Sequence, residues 1–162
     1  MDQASFVKRF GGVFENSPWV AETVFDHGGS LLKHTESLGE LFESVFLCAD
    51  PALQIATLSA HPQLACALAG PDDLSADSLS EQSAAGLDRC SAEEYAAFSD
   101  LNSEYNDKFG FPFIIAVKGL TRREILESFR ERLRNQRSLE FQNALKQTCR
   151  IARFRIGDIL RD

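Results

Sequence analysis

Two short polar clusters in the stretch 60–87 carry side chains suited to proton transfer. They are His61-Pro62 and Ser78-x-x-Glu81-Gln82, and small and apolar residues surround both. An imidazole titrates near neutral pH, and a carboxylate can orient it or raise its basicity. Pro62 disfavours a helical conformation for His61, so the sequence predicts that this histidine lies at a corner between a helix and a loop. The alternative interpretation is a structural loop histidine with no role in chemistry.

A helix is the element that must position the second cluster. Ser75 is a typical N-cap residue, and Gly86 is typical of the end of a helix. Ser78, Glu81 and Gln82 then lie one turn apart or next to each other, so most of this set can face one cavity. The alternative is an ordinary solvated polar face.

Further motifs stand in the order found in a known family. HPQLA at 61–65 is followed by S-x-x-EQ-x-x-AGL, with Glu81 twenty positions after His61, then by FGFPFIIAVKG at 109–119 and ALKQTCRIARFRI at 144–156. In combination they make the chain similar to the OHCU decarboxylase family, over a likeness that runs from about Phe10 to Leu160. Such enzymes convert 2-oxo-4-hydroxy-4-carboxy-5-ureidoimidazoline (OHCU) to S-allantoin, the last step of urate breakdown.

The resemblance implies a small polar site. His61 is the expected general acid/base, acting on the hydroxyl or the ring nitrogen of the substrate. Glu81 either hydrogen-bonds the hydroxyl or the imidazole, or presses its charge against the leaving carboxylate. The residues expected to bind substrate are Pro62, Ser78, Gln82, Phe113, Ile115 and Arg155. Of these, Arg155 is expected to grip a carbonyl or spread developing charge, because a tight pair with the scissile carboxylate would stabilise the ground state. Glu15, in the stretch ENSPWVAE, is expected to line the site.

No cofactor or metal ion is expected. The substrate that the resemblance implies carries a C=N bond that accepts the electrons released with CO₂, so pyridoxal, thiamine and metals are not required. The sequence has no glycine-rich phosphate loop and no ligand cluster. His27 and His34 lie two helical turns apart, but no third ligand is in sequence range.

Two other functions remain open. A non-catalytic helical interaction module would need a groove rather than a closed polar pocket, and it would not need His61 or Glu81. A related lyase acting on another small ureido acid would use the same residues, since contacts through backbone atoms are invisible in a sequence.

Hydrophobic periodicity predicts an all-α fold of about eight helices in a single compact domain, 1–162. Asp50-Pro51, Ser75, Ser91 and Thr121 are expected helix starts. Gly28-Gly29 is expected to end the second helix, and an amphipathic helix is expected from Ser30 to Cys48. The apolar segment 111–117 lacks a strand partner and is interpreted as an extended buried connector. A turn is expected at 70–73.

Composition limits the classes of binding partner and the cellular compartment that we expect. The net charge of −7 over 162 residues argues against nucleic acid, and no run approaches the length of a membrane span. The four cysteines show no paired spacing, and Cys48, Cys66 and Cys149 lie among apolar residues, which predicts buried thiols in a reducing compartment. The start of the chain lacks a secretory apolar core. The expected location is cytoplasmic, and the resemblance implies a homodimer.

Overall fold

A computed structural model describes residues 1–31, 37–65 and 75–161. Over these ranges the chain forms eight α-helices and a short 3₁₀ helix, with no β-strand. The α-helices are α1 Gln3–Phe10, α2 Trp19–Leu31, α3 Leu38–Leu47, α4 Pro51–Ser59, α5 Ala76–Ala84, α6 Ala92–Phe109, α7 Arg122–Leu133 and α8 Arg137–Arg161, and the 3₁₀ helix is Leu87–Arg89. The predicted all-α class is confirmed.

Local capping chemistry sets most helix starts. The Ser75 side chain accepts a hydrogen bond from the backbone N–H of Ser78 at the start of α5. Ser91 and Thr121 form capping boxes with Glu94 and Glu124 at the starts of α6 and α7. Each cap satisfies backbone donors that the first helical turn leaves without partners. These starts are as the sequence predicted.

The described chain divides into two compact units, and the prediction of a single domain stays a prediction. Unit 1 comprises Met1–Ala60 and Leu145–Asp162, and unit 2 comprises His61–Ala144. In unit 1, α2 packs against α1 and α3. The core of this unit is aromatic, with the Phe14 ring 4.7 Å from that of Phe46 and 6.5 Å from that of Phe42 between centroids.

Unit 2 has its own aromatic core around Tyr105. The Tyr105 ring meets the rings of Phe113 and Phe129 edge-on, with centroid distances of 5.4 and 5.7 Å. Residues 111–117 are all buried and form neither helix nor strand. This is the predicted buried connector, and its confirmation means that its backbone polar groups need partners other than a sheet.

Three predictions in unit 1 are wrong. Gly28-Gly29 does not end α2, which continues to Leu31, because glycine lowers helix stability without blocking the backbone hydrogen bonds. α3 begins at Leu38 with Ser37 as its N-cap rather than at Ser30. Cys48 is exposed, since it is the C-cap of α3 and follows the buried face.

Cys149 is buried as predicted, and burial raises the pKa of its thiol to about 12. Cys66, His34 and the turn at 70–73 lie outside the described residues. Within those residues, no helix alone has the length and apolar character of a membrane span. The bent pair α3 and α4 passes that test only jointly, across an angle of 112°.

Candidate active site

His61 lies where the sequence predicted, at the corner that follows α4. The helix ends at Ser59, Ala60 is its C-cap, and His61 is in a half-buried bend. Pro62 is also half-buried. The corner forms because the residue before a proline disfavours the α conformation.

Helix α5 carries the second predicted cluster. Ser78 and Gln82 are buried, with 2% and 7% of their surface exposed, and Glu81 between them is half-buried. Ser78 and Gln82 are four residues apart and so share one face of the helix. α5 therefore turns uncharged hydrogen-bonding groups inward and keeps the Glu81 carboxylate at the margin of that face.

Gln82 joins α5 to the residues that follow His61. Its Nε2 donates to the carbonyl of Gln63 at 3.1 Å, and its Oε1 accepts from the N–H of Ala65 at 3.0 Å. The structure thus joins the loop that follows His61-Pro62 to the helix that carries the second cluster, within unit 2. Both ends of the Gln82 amide are used in this contact, which sequence reasoning had assigned to the substrate.

Phe113 and Ile115 lie in the buried connector of the same unit. The Phe113 ring stacks on Phe129 with centroids 3.8 Å apart, and the Arg132 guanidinium lies 4.4 Å from its centroid on the face of the ring. Because this ring is packed in the core, a contact with a ligand from Phe113 would come from its backbone. Arg132 also binds the connector directly, donating from Nη1 to the carbonyl of Ile114 at 2.7 Å.

A buried carboxylate holds Arg132 in place. Glu140 is fully buried, and it accepts from Arg132 Nε at 3.0 Å and from the Tyr105 hydroxyl at 2.5 Å. Asn135 and Asn143 donate to its other oxygen at 2.9 and 2.8 Å. Burial opposes the charged form, but these donors prevail and lower the pKa of Glu140. Burial and the bond to Glu140 raise the pKa of Tyr105.

Arg155 lies on α8 within unit 1 and forms an ion pair with Glu15. Arg155 Nη1 donates to Glu15 Oε2 at 3.0 Å and to the carbonyl of Gly12 at 3.2 Å. The two side chains are 5% and 2% exposed, so this is a buried ion pair. The guanidinium is therefore neutralised in part by the protein itself.

Sequence reasoning missed Asn102 on α6. This residue is 5% exposed, and its Nδ2 donates to the carbonyl of Leu64 at 3.0 Å. The sequence marks Asn102 only as a polar residue at helical spacing among Tyr95, Phe98, Leu101 and Tyr105. Among the residues that the structure describes, no three His, Cys, Asp or Glu side chains are placed to hold a metal ion.

Comparison with known proteins gives one consistent family. The OHCU decarboxylase family model matches residues 1–157. The chain is 35% identical over 158 residues to a 2-oxo-4-hydroxy-4-carboxy-5-ureidoimidazoline decarboxylase from Halalkalicoccus jeotgali, covering 98% of this chain and 86% of that protein. It is also 38% identical over 163 residues to the uric acid degradation bifunctional protein PucL of Bacillus subtilis, covering 99% of this chain.

The chain is shorter than some of its relatives and shares its fold with a solved structure. The chain spans 31% of the length of PucL, and so about a third of that bifunctional relative. The crystal structure of an (S)-allantoin synthase superposes with a TM-score of 0.77 at 26% identity, covering 98% of this chain and 51% of that one.

Proposed function

This chain belongs to the OHCU decarboxylase family, and from that membership we propose that it converts OHCU to S-allantoin and CO₂ in urate breakdown. The observation that carries the proposal is the pair of hydrogen bonds in which the Gln82 amide donates to the Gln63 carbonyl and accepts from the Ala65 N–H. They join the loop that follows His61 to the helix that carries Ser78 and Glu81. A histidine and a carboxylate on elements fixed to each other are what a proton-transfer site needs.

In the proposed reaction, the bond between the ring carbon and its carboxylate breaks first. The electron pair moves into the adjacent C=N bond, CO₂ leaves, and the ring nitrogen receives a proton. The ene-type intermediate then loses its hydroxyl proton and becomes a ketone, while the neighbouring carbon is protonated from one face. The net change is replacement of a carboxylate by a proton.

His61 is the proposed proton carrier for these steps. It takes the hydroxyl proton or delivers one to the ring nitrogen, at a pH where an imidazole is present in both forms. Glu81 either orients the imidazole or destabilises the departing carboxylate by its charge. The half-buried position of Glu81 supports either role, since the carboxylate is retained near the inward face of α5.

The remaining proposed contacts bind and orient the substrate. Ser78 offers a hydroxyl, Gln82 offers its remaining amide capacity, and Pro62 supplies a rigid apolar wall. The backbone groups of Phe113 and Ile115 are proposed to pair with the planar amide edges of the substrate.

Arg155 is proposed to grip a carbonyl oxygen. The pair with Glu15 supports this assignment, because a partly neutralised guanidinium binds the scissile carboxylate less tightly. It therefore stabilises the ground state less.

We also propose that the chain works as a cytoplasmic homodimer. The family resemblance supports the dimer, and the free thiols of Cys48, Cys90 and Cys149 fit a reducing compartment. Light scattering of the purified protein measures the first point, and a mass corresponding to a single chain contradicts it.

Product stereochemistry tests the proposed activity. OHCU is generated enzymatically in the cuvette, and circular dichroism follows the formation of optically active allantoin. We expect OHCU to decay faster with the protein than in buffer, with an excess of the S enantiomer. No acceleration, or a racemic product, contradicts the proposal.

A further inference from the structure

Two buried amides hold three consecutive residues after the His61-Pro62 corner. Gln82 binds the Gln63 carbonyl and the Ala65 N–H, and Asn102 Nδ2 donates to the Leu64 carbonyl at 3.0 Å. We propose that Asn102 is a positioning residue for His61, acting through this loop; the inference rests on the proposed function.

The loop needs such support because its conformation is unfavourable on its own. Ala65 has φ of +57°, in the left-handed region that residues with a side chain rarely adopt. A strained residue persists only where its surroundings over-determine it, and such residues collect at functional sites. Here the bonds come from α5 at residues 63 and 65 and from α6 at residue 64.

The orientation of the Asn102 amide follows from its partner. A carbonyl only accepts, so the nitrogen of the amide must face Leu64, and the oxygen must point elsewhere. That oxygen, Oδ1, is buried and has no hydrogen-bond partner among the residues that the structure describes. The described hydrogen bond of the Asn102 side chain is thus the one to the loop, so a change of this amide acts on the loop carbonyl of Leu64.

Loss of this bond is expected to reduce turnover rather than binding. The Leu64 carbonyl lies three residues after His61, and a displacement of about 1 Å in a reacting group costs roughly 100-fold in rate. Substrate contacts from Ser78 and the connector do not pass through Asn102. The loss should therefore appear in kcat while KM changes little.

The first test uses Asn102→Leu, which keeps the branched shape and removes the donor. We expect kcat to fall about 10- to 100-fold with KM within about three-fold of wild type. Gln54→Met is the matched control. Gln54 is also 5% exposed, and its Nε2 donates to the carbonyls of Phe46 and Leu47 at 3.0 Å, in unit 1. This control should lower the melting temperature at least as much and leave kcat within about three-fold.

A second variant keeps the proposal testable if Asn102→Leu does not fold. The carboxyl group introduced by Asn102→Asp donates to the Leu64 carbonyl only when protonated. Its kcat relative to wild type at the same pH should therefore rise as the pH falls. A flat ratio overturns the proposal.

Other outcomes overturn it as plainly. One is an unchanged kcat in folded Asn102→Leu, and another is a raised KM with unchanged kcat. A third is a loss of kcat in both Asn102→Leu and Gln54→Met that follows their loss of stability. Hydrogen exchange at the Ala65 amide and the His61 imidazole resonance provide a readout without activity. They should change in the Asn102 variants and not in Gln54→Met. If wild type does not convert OHCU, the proposed function fails, and these two signals alone decide whether Asn102 positions His61.

Discussion

The buried pair of Arg155 and Glu15 is an electrostatic feature at the scale of single residues. Taking both charges out of water costs several kcal/mol for each, and the attraction between them offsets that cost only when both are present. On the same helix, Arg153 pairs with Glu43 at 2.5 Å, but these side chains remain 51% and 29% exposed. Both pairs join an arginine of α8 to a glutamate, so they differ mainly in how deeply they are buried.

Glu15→Gln should destabilise the protein far more than Glu43→Gln. Removing Glu15 leaves a buried guanidinium without its partner carboxylate, which costs about 3–5 kcal/mol in the free energy of unfolding. Removing Glu43 breaks an exposed pair worth at most about 1 kcal/mol. Urea unfolding at neutral pH measures both. Equal losses would mean that the Glu15 carboxylate is not what holds Arg155.

Glu81→Gln should lower turnover more than affinity. Glutamine keeps the size and hydrogen bonding of Glu81 and removes only the charge, which matters as the carboxylate leaves or a proton moves. Asp77→Asn, a charge removal at an exposed position of α5, is the control and should be silent. Steady-state kinetics measure both variants. Wild-type turnover in Glu81→Gln would mean that Glu81 is an ordinary polar residue of the helix surface with no role in the reaction.

At the scale of elements, the buried carboxylate of Glu140 on α8 binds side chains from α6 and α7. Tyr105 reaches it from α6 and Arg132 from α7, and Arg132 also holds the connector at Ile114. The network satisfies a backbone carbonyl that lacks a sheet or helix partner. It therefore stabilises the connector whose backbone is proposed to contact the substrate.

Glu140→Gln should reduce stability in a pH-dependent way. The pKa of Glu140 is lowered in the folded state from an ordinary value of 4.5. Its contribution is therefore fully present above that value and is lost as the pH falls through the lowered pKa. The difference in unfolding free energy between wild type and Glu140→Gln should be about 3–5 kcal/mol at pH 7. It should shrink on acidification. Unfolding curves at a series of pH values check this, and a constant difference would contradict it.

Helix starts were predictable from sequence because capping is local. Ser91 with Glu94 and Thr121 with Glu124 act within four residues, so their pattern is visible without a structure. Pairings across long separations were not predictable. Tyr105 meets Glu140 from 35 residues away, and no periodicity encodes that distance.

The same limit applies to the candidate site. Residue type and spacing, together with the family resemblance, predict His61, Ser78, Glu81 and Gln82 as site residues. That Gln82 uses its amide on the loop depends on tertiary packing. Gly28-Gly29 failed as a breaker because α2 continues through it, which a local rule cannot foresee.

At the scale of the whole molecule, the family match covers 1–157 while the chain spans 31% of the length of PucL. The residues to which the proposed chemistry assigns a role all lie within 1–157. That chemistry also needs no external electron acceptor, since the C=N bond of the substrate receives the electrons.

Activity should therefore survive exhaustive chelation. Dialysis against a strong chelator, followed by assay in metal-free buffer, should leave kcat within about two-fold of that of the untreated protein. A protein treated in parallel without chelator controls for losses in handling. Activity that disappears and returns only on adding one metal ion would contradict the proposed electron flow.

The most direct test of the central claim measures formation of S-allantoin by three proteins side by side: wild type, His61→Asn and His27→Asn. His27 is exposed on α2 and serves as the matched control. We expect wild type and His27→Asn to form the S enantiomer at equal rates. His61→Asn should melt like wild type and turn over about two to four orders of magnitude more slowly, the range for losing a general acid/base. A folded His61→Asn that forms S-allantoin within a few-fold of the wild-type rate would contradict the account.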